Sequence, residues 1–129
     1  MAIDLAALLA PVSAEAPSGE PVEYDPQFNE LETLSKGTPE QEVGTTIIPA
    51  EEPDWREVER VGLELAARAK DLRVAVYLVR AELKLGGLPG MAAGLALIRG
   101  YLEQYWPSVH PQLDPEDDND PSARVNALL

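Results

Sequence analysis

Residues 70–106 read KDLRVAVYLVRAELKLGGLPGMAAGLALIRGYLEQYW, and how this stretch folds decides the architecture. Leu72, Ala75, Val76, Val79 and Leu83 recur at helical spacing, and Val74, Leu78, Ala81 and Leu85 widen the stripe until most of the girth is apolar. Only Arg73, Tyr77, Arg80 and Lys84 line up as a polar ridge. A helix apolar around most of its circumference is a central one, packed on several sides. Gly86 and Gly87 end it, and GLPG marks a tight turn into a further helix from about Met91 to Trp106. On that helix Leu95, Ile98, Leu102 and Tyr105 are expected to face the core, with Leu97, Tyr101 and Trp106 beside them, until Pro107 stops it. Gly90 and Gly94, four residues apart, would let its backbone come close to the neighbouring helix.

Working outward, Asp71 is placed to cap the central helix. Upstream, Asp54-Trp55-Arg56-Glu57 reads as a capping box, and Trp55, Val58, Val61, Gly62, Leu65, Ala66 and Ala69 follow it at helical spacing. Asp25-Pro26 opens an earlier helix with Phe28, Leu31 and Leu34 on its buried side and Gly37 at its end. Asp4 starts a short one carrying Leu5, Leu8 and Leu9, stopped by Pro11. Downstream, Asp120-Pro121 repeats the cap-then-proline pattern, and Val125, Leu128 and Leu129 begin a last helix. Residues 37–53 form a long loop whose Thr45–Ile48 run is β-branched, yet too short to make a sheet alone. Ile47 and Ile48 are expected to plug a groove between helices, or to meet a partner. The expected fold class is all-α: a compact bundle of about five to six helices with long N-terminal and mid-chain loops. It forms one domain over residues 1–129, read as a fragment of a longer protein because the last helix ends uncapped at Leu129.

Composition narrows the function. Hydrophobic residues make up 45% of the chain and aromatics only 5%, a folded composition that favours helix packing over a sandwich. The net charge is −13, but residues 56–84 hold seven basic against five acidic side chains, so the rest of the chain is more acidic still. Such a surface repels nucleic-acid phosphates and anionic lipid, which argues against nucleic acid as a partner and against direct membrane insertion. No stretch offers a secretory leader or the roughly 20 consecutive apolar residues of a spanning helix, so a cytosolic module is expected. With no cysteine there are neither disulfides nor thiolate chemistry.

Candidate chemistry centres on residues 108–120. His110 is the only histidine, and a zinc site around it would need carboxylates for every other ligand. The acids Asp114, Glu116 and Asp118 fit the first positions of a calcium loop, but Asn119 and Val125 stand where that loop needs glycine and glutamate. The blander reading is a solvated connection whose last acids favour the start of the next helix. Ser108 near His110 is the sole hint of a hydrolase, with no nucleophile elbow around it. Trp55 and Trp106 sit at apolar helical positions and are read as core anchors. Arg73, Arg80 and Lys84 are read either as a docking ridge for an acidic partner or as internally paired. The chain shows no catalytic residues, no metal site and no cofactor.

The ordered set PSG…YD, PDW, KDLR, GLPG…GL, YW…HP and DP…R, spread over nearly the whole chain, resembles the ImpA-type N-terminal domain. That family opens TssA proteins of the bacterial type VI secretion system and related TagA-like accessory proteins. The resemblance implies a non-enzymatic, cytoplasmic assembly component at the inner-membrane apparatus, helping to organise tail tube and sheath. Its implied partners are sheath, inner tube, baseplate and membrane-complex proteins, with homo-oligomerisation through a C-terminal region outside this chain. A sheath-capping accessory role is the alternative, and an acidic-loop calcium module a more distant one. Asp54, Trp55, Lys70, Asp71, Leu72, Arg73, Trp106, His110 and Arg124 correspond to the family pattern. Apart from Arg73, they are expected to determine the fold; Ile47, Ile48, Arg73, Arg80 and Lys84 are the candidate partner-binding residues.

Overall fold

Aspartates start most of the helices. In the computed structural model, which describes residues 3–129, the Asp4 side chain accepts the Ala7 amide at the head of α1 (Leu5–Leu9), and Asp25 accepts that of Gln27 at the head of α2 (Pro26–Lys36). Asp54 does the same for Glu57 in α3 (Trp55–Arg68), and Asp71 for Arg73 in α4 (Leu72–Gln104). Each carboxylate satisfies an amide that has no partner inside its helix. The reciprocal half of the capping box at Asp54 is not made, because Arg60 holds the Glu57 carboxylate at 2.8 Å.

The stretch 72–104 is one helical run interrupted at Gly87, whose φ of 64° and ψ of −151° reverse the chain. Its two halves then lie against each other. A Cβ at Gly90 would stand 2.3 Å from the Glu82 carbonyl, and one at Gly94 2.8 Å from the Val79 side chain. Glycine is what permits that approach. By length and composition α4 is apolar enough to cross a membrane. Doubled back at Gly87, however, neither half has the roughly 20 residues a crossing requires.

The doubling also turns the buried faces. Leu72, Val74, Ala75, Leu78, Ala81 and Glu82 are buried on the first half, whereas Leu83 and Leu85 are exposed. On the second half Leu97 and Tyr101 are buried, while Leu95, expected to face inward, is exposed. Val58, Val61 and Leu65 of α3 and Phe28 and Leu31 of α2 complete the core.

The all-α expectation is overturned by residues 37–53. There β1 (Gln41–Val43) pairs antiparallel with β2 (Thr46–Ile48), in the register Gln41 to Ile48, Glu42 to Ile47 and Val43 to Thr46. The class is therefore mixed: among the described residues there are five α-helices, which make up more than half of them, and one two-stranded sheet. Gly44, at φ 65°, takes the first of the two turn positions, where a type II′ hairpin demands a positive φ. Thr38 and Glu51 exchange both backbone bonds, at 3.0 and 2.8 Å, and close the base. The two strands stabilise each other, which a lone Thr45–Ile48 segment could not do. Ile47 and Ile48 plug no groove; both are exposed, Ile47 to 61%.

After α4 the chain makes a cis His110–Pro111 peptide and a short 3-10 turn, Pro115–Asp117, before α5 (Ser122–Leu128). α5 buries Arg124 and tucks in Ala127, while Val125, Leu128 and Leu129, the apolar residues that mark this helix in the sequence, are exposed.

Candidate functional site: a buried backbone node and an exposed hairpin

Sequence motifs far apart in the chain meet at one place. The corner between α3 and α4 is held on one side by the Lys70 amide donating to the Ser18 carbonyl at 2.8 Å. On the other, the His110 amide donates to the Lys70 carbonyl at 2.9 Å, and the Leu72 amide to the His110 carbonyl at 2.8 Å. The His110 ring is buried and its Nε2–H donates to the Gly19 carbonyl at 2.9 Å, which places the proton on that nitrogen. Ser108 pairs its hydroxyl with that of Ser18 at 2.7 Å. The serine and the histidine thus have separate partners, and no nucleophile–base pair forms.

Two buried cations tie further loops to this node. The Lys70 ammonium donates to the carbonyls of Leu8 and Ala10 at 2.9 and 2.6 Å, covering the C-terminal end of α1, where a positive charge is favoured. It also lies 4.8 Å from the centre of the Tyr105 ring, and Tyr105 donates its hydroxyl to the Leu9 carbonyl. Burial pushes the Lys70 pKa down from its ordinary value. Arg124 donates from all three guanidinium nitrogens, to the carbonyls of Pro111, Trp106 and Val109 at 2.8, 2.6 and 2.8 Å. Burial likewise lowers its pKa, though an arginine stays charged. Trp106 is no core anchor. It is 42% exposed and lies over Arg124, 4.5 Å from ring centre to guanidinium carbon.

The predicted polar ridge divides. Arg73 is bidentate on the buried Asp71 at 3.0 and 2.7 Å and reaches Glu23 at 3.4 Å, so its charge is met within the fold. Arg80 lies 5.5 Å from the Trp55 ring and 5.9 Å from that of Tyr77, and donates at 3.5 Å to the Ser35 carbonyl. Lys84 makes only an open pair with Glu52 at 3.8 Å. Trp55 is half-buried, and its indole N–H is enclosed without a partner. Trp55→Ala should therefore cost about 2 kcal/mol, below the roughly 3–5 kcal/mol of a fully enclosed indole. Urea unfolding measures it; a loss above about 4 kcal/mol would mean the ring is fully enclosed in solution.

The acidic loop serves its own turns. The Asp114 carboxylate accepts the Glu116 amide at 3.0 Å, and Asp120 accepts the amide and hydroxyl of Ser122 at 3.0 and 2.7 Å. Among the described residues no three histidine, cysteine or acidic side chains converge as a metal site.

Sequence reading passed over two features. Glu82 is buried with Oε1 unpartnered, and burial together with the neighbouring Glu59 carboxylate raises its pKa to about 7. Its position four residues after Leu78, on the inward stripe, was the available signal. The hairpin's only signal was the Gly44-Thr45 pair ahead of the β-branched run to Ile48.

The chain is 48% identical over 126 residues to the type VI secretion system component TssA1 of Pseudomonas aeruginosa, a match over 98% of this chain and 37% of that protein. Among solved structures it superimposes on the N-terminal domain, including the conserved ImpA_N region, of the TssA component of the type VI secretion system from Burkholderia cenocepacia. That match has a TM-score of 0.79 and 29% identity, over 99% of this chain and 46% of that one. The chain thus spans less than half the length of either relative. Residues 9–129 match the family described as ImpA, N-terminal, type VI secretion system, and on that match, with PSG, KDLR, HP and the closing arginine meeting at one buried node, the chain belongs to this family.

Proposed function

We propose that this chain is the non-enzymatic N-terminal interaction module of a TssA-like protein, working in the cytoplasm where tail tube and sheath are assembled at the baseplate and membrane complex. The observation that carries this reading is the use made of the reactive side chains. Ser108, His110, Lys70 and Arg124 spend their polar atoms on partners inside the fold, and Asp71 on a helix cap and Arg73. What remains at the surface is apolar and charged area suited to protein contacts. Ile47, Ile48, Arg80 and Lys84 are the outward-facing candidates for them, whereas Arg73 contributes through the part of its side chain left open beside Asp71. Homo-oligomerisation is assigned to regions of the longer relatives beyond this domain.

Imaging of a fluorescent sheath in the source bacterium tests the role. Deleting the gene should abolish sheath assembly, and the full-length protein should restore it where a version lacking residues 1–129 does not. Normal assembly without the gene would defeat the reading.

A further inference from the structure

Among the described residues nothing covers the hairpin. All six residues of β1 and β2 are exposed, including Val43, Ile47 and Ile48. Beyond the Thr38–Glu51 closure, no backbone hydrogen bond among the described residues reaches residues 39–50 from outside the hairpin, so both outer edges of the sheet are open. Proteins ordinarily protect such edges with basic side chains, bulges or a covering element. Here, among the described residues, no lysine, bulge or covering element is present in the hairpin; the edges are limited only by their three-residue strands, by the flanking Pro39 and Pro49 and by the single-sign charge of four glutamates (Glu40, Glu42, Glu51 and Glu52). Lys84 reaches Glu52, which brings the Gly87 turn to the same end of the molecule, with Leu88 there 75% exposed.

We propose that the hairpin is a strand-addition site that takes an extended segment of a partner protein in which apolar and basic side chains alternate. An open edge supplies main-chain hydrogen bonds to any extended segment, and the side chains beside it choose which one. Period-two alternation sets apolar side chains of the incoming strand beside Val43 and Ile48 on one face and basic ones beside Glu42 on the other, the face Glu42 shares with Ile47. A second copy of this chain is the wrong occupant: it would bring the same glutamates and a net charge of −13 to an acidic edge. This inference deepens the assembly reading by giving the docking surface and the chemistry of what docks there.

The test uses the full-length protein and a capped hexapeptide of alternating valine and lysine, with a valine–glutamate peptide as control. Amide hydrogen exchange should slow at residues 41–48 with the basic peptide, and binding should be at least tenfold weaker with the acidic one. Ile47→Pro, which removes an edge donor, should weaken binding of the basic peptide at least tenfold and leave the melting temperature unchanged. No protection of the hairpin at millimolar basic peptide, equal protection by both peptides, or dimers lost on Ile47→Pro would overturn the site. In the bacterium, full sheath assembly with the Ile47→Pro protein would also overturn it while leaving the assembly role standing. Normal sheaths without the gene would remove that role instead.

Discussion

Arg124→Ala is expected to lower the stability of the domain by about 3–5 kcal/mol, the largest effect of any single substitution considered. Three carbonyls, of Trp106, Val109 and Pro111, depend on that one guanidinium, and Arg124 is 2% exposed. A buried carbonyl stripped of its donor costs roughly 1–3 kcal/mol, and water entering the vacated volume recovers part of the sum. The loss should appear as a melting temperature roughly 10–20 °C lower, by the usual scaling for a domain of this size. Arg124→Lys should recover only part, because one ammonium cannot meet three carbonyls held in a fixed fork. A loss under about 1 kcal/mol for alanine, by chemical denaturation, would show that α5 is anchored otherwise.

The second large effect depends on pH. Glu82 has its folded pKa raised from 4.5 to about 7 by burial and by Glu59. A raised carboxyl pKa means that the folded state holds the proton more tightly than the unfolded chain does. Below about pH 4.5 both states are protonated and the residue exacts no penalty. Between 4.5 and 7 the unfolded chain ionises first, so stability falls with rising pH; above 7 the full loss, on the order of 3 kcal/mol, is in place. Glu82→Gln cannot ionise. It should match the wild type near pH 4.5 and exceed it by up to about 3 kcal/mol at pH 8, the difference opening through that window. The comparison of variant with wild type cancels the other carboxylates. Parallel stability curves from pH 4.5 to 8 would show that Glu82 is hydrated and titrates normally.

Both residues lie where local reading was weakest. The helix starts at Asp4, Asp25, Asp54 and Asp71 were legible, because a cap and the amide it meets stand two or three residues apart. So were the breaks at Gly37 and Gly87, and the closeness implied by Gly90 and Gly94. The inward faces of the two halves of α4 were not. Periodicity marks a stripe, but on a helix apolar nearly all round, the face that is covered depends on which neighbours arrive. Here Gly87 turns the second half back, leaving Leu83, Leu85 and Leu95 in solvent and burying Glu82 instead. On α5 the buried side chain is Arg124, drawn in by the three carbonyls after α4, while the apolar Val125 stays exposed.

The candidate docking surface was half legible. Ile47 and Ile48 stood out as apolar residues in a long loop, but not that they would pair with Gln41 and Glu42 and stay exposed. Strand pairing is a relation between two segments, and Gln41–Val43 has no strand signature of its own.

Caps, breaks, charge and the family's motif order are properties of neighbouring residues, so the chain's 129 letters were enough to establish them. Which side of each helix is buried, why a lysine, a histidine and an arginine share one interior, and where a sheet edge lies open were decided only by the fold. Each needs a donor and an acceptor, or two surfaces, that are dozens of residues apart until the chain closes. Ser18 meeting Lys70 and His110 meeting Gly19 are the bonds that make the difference.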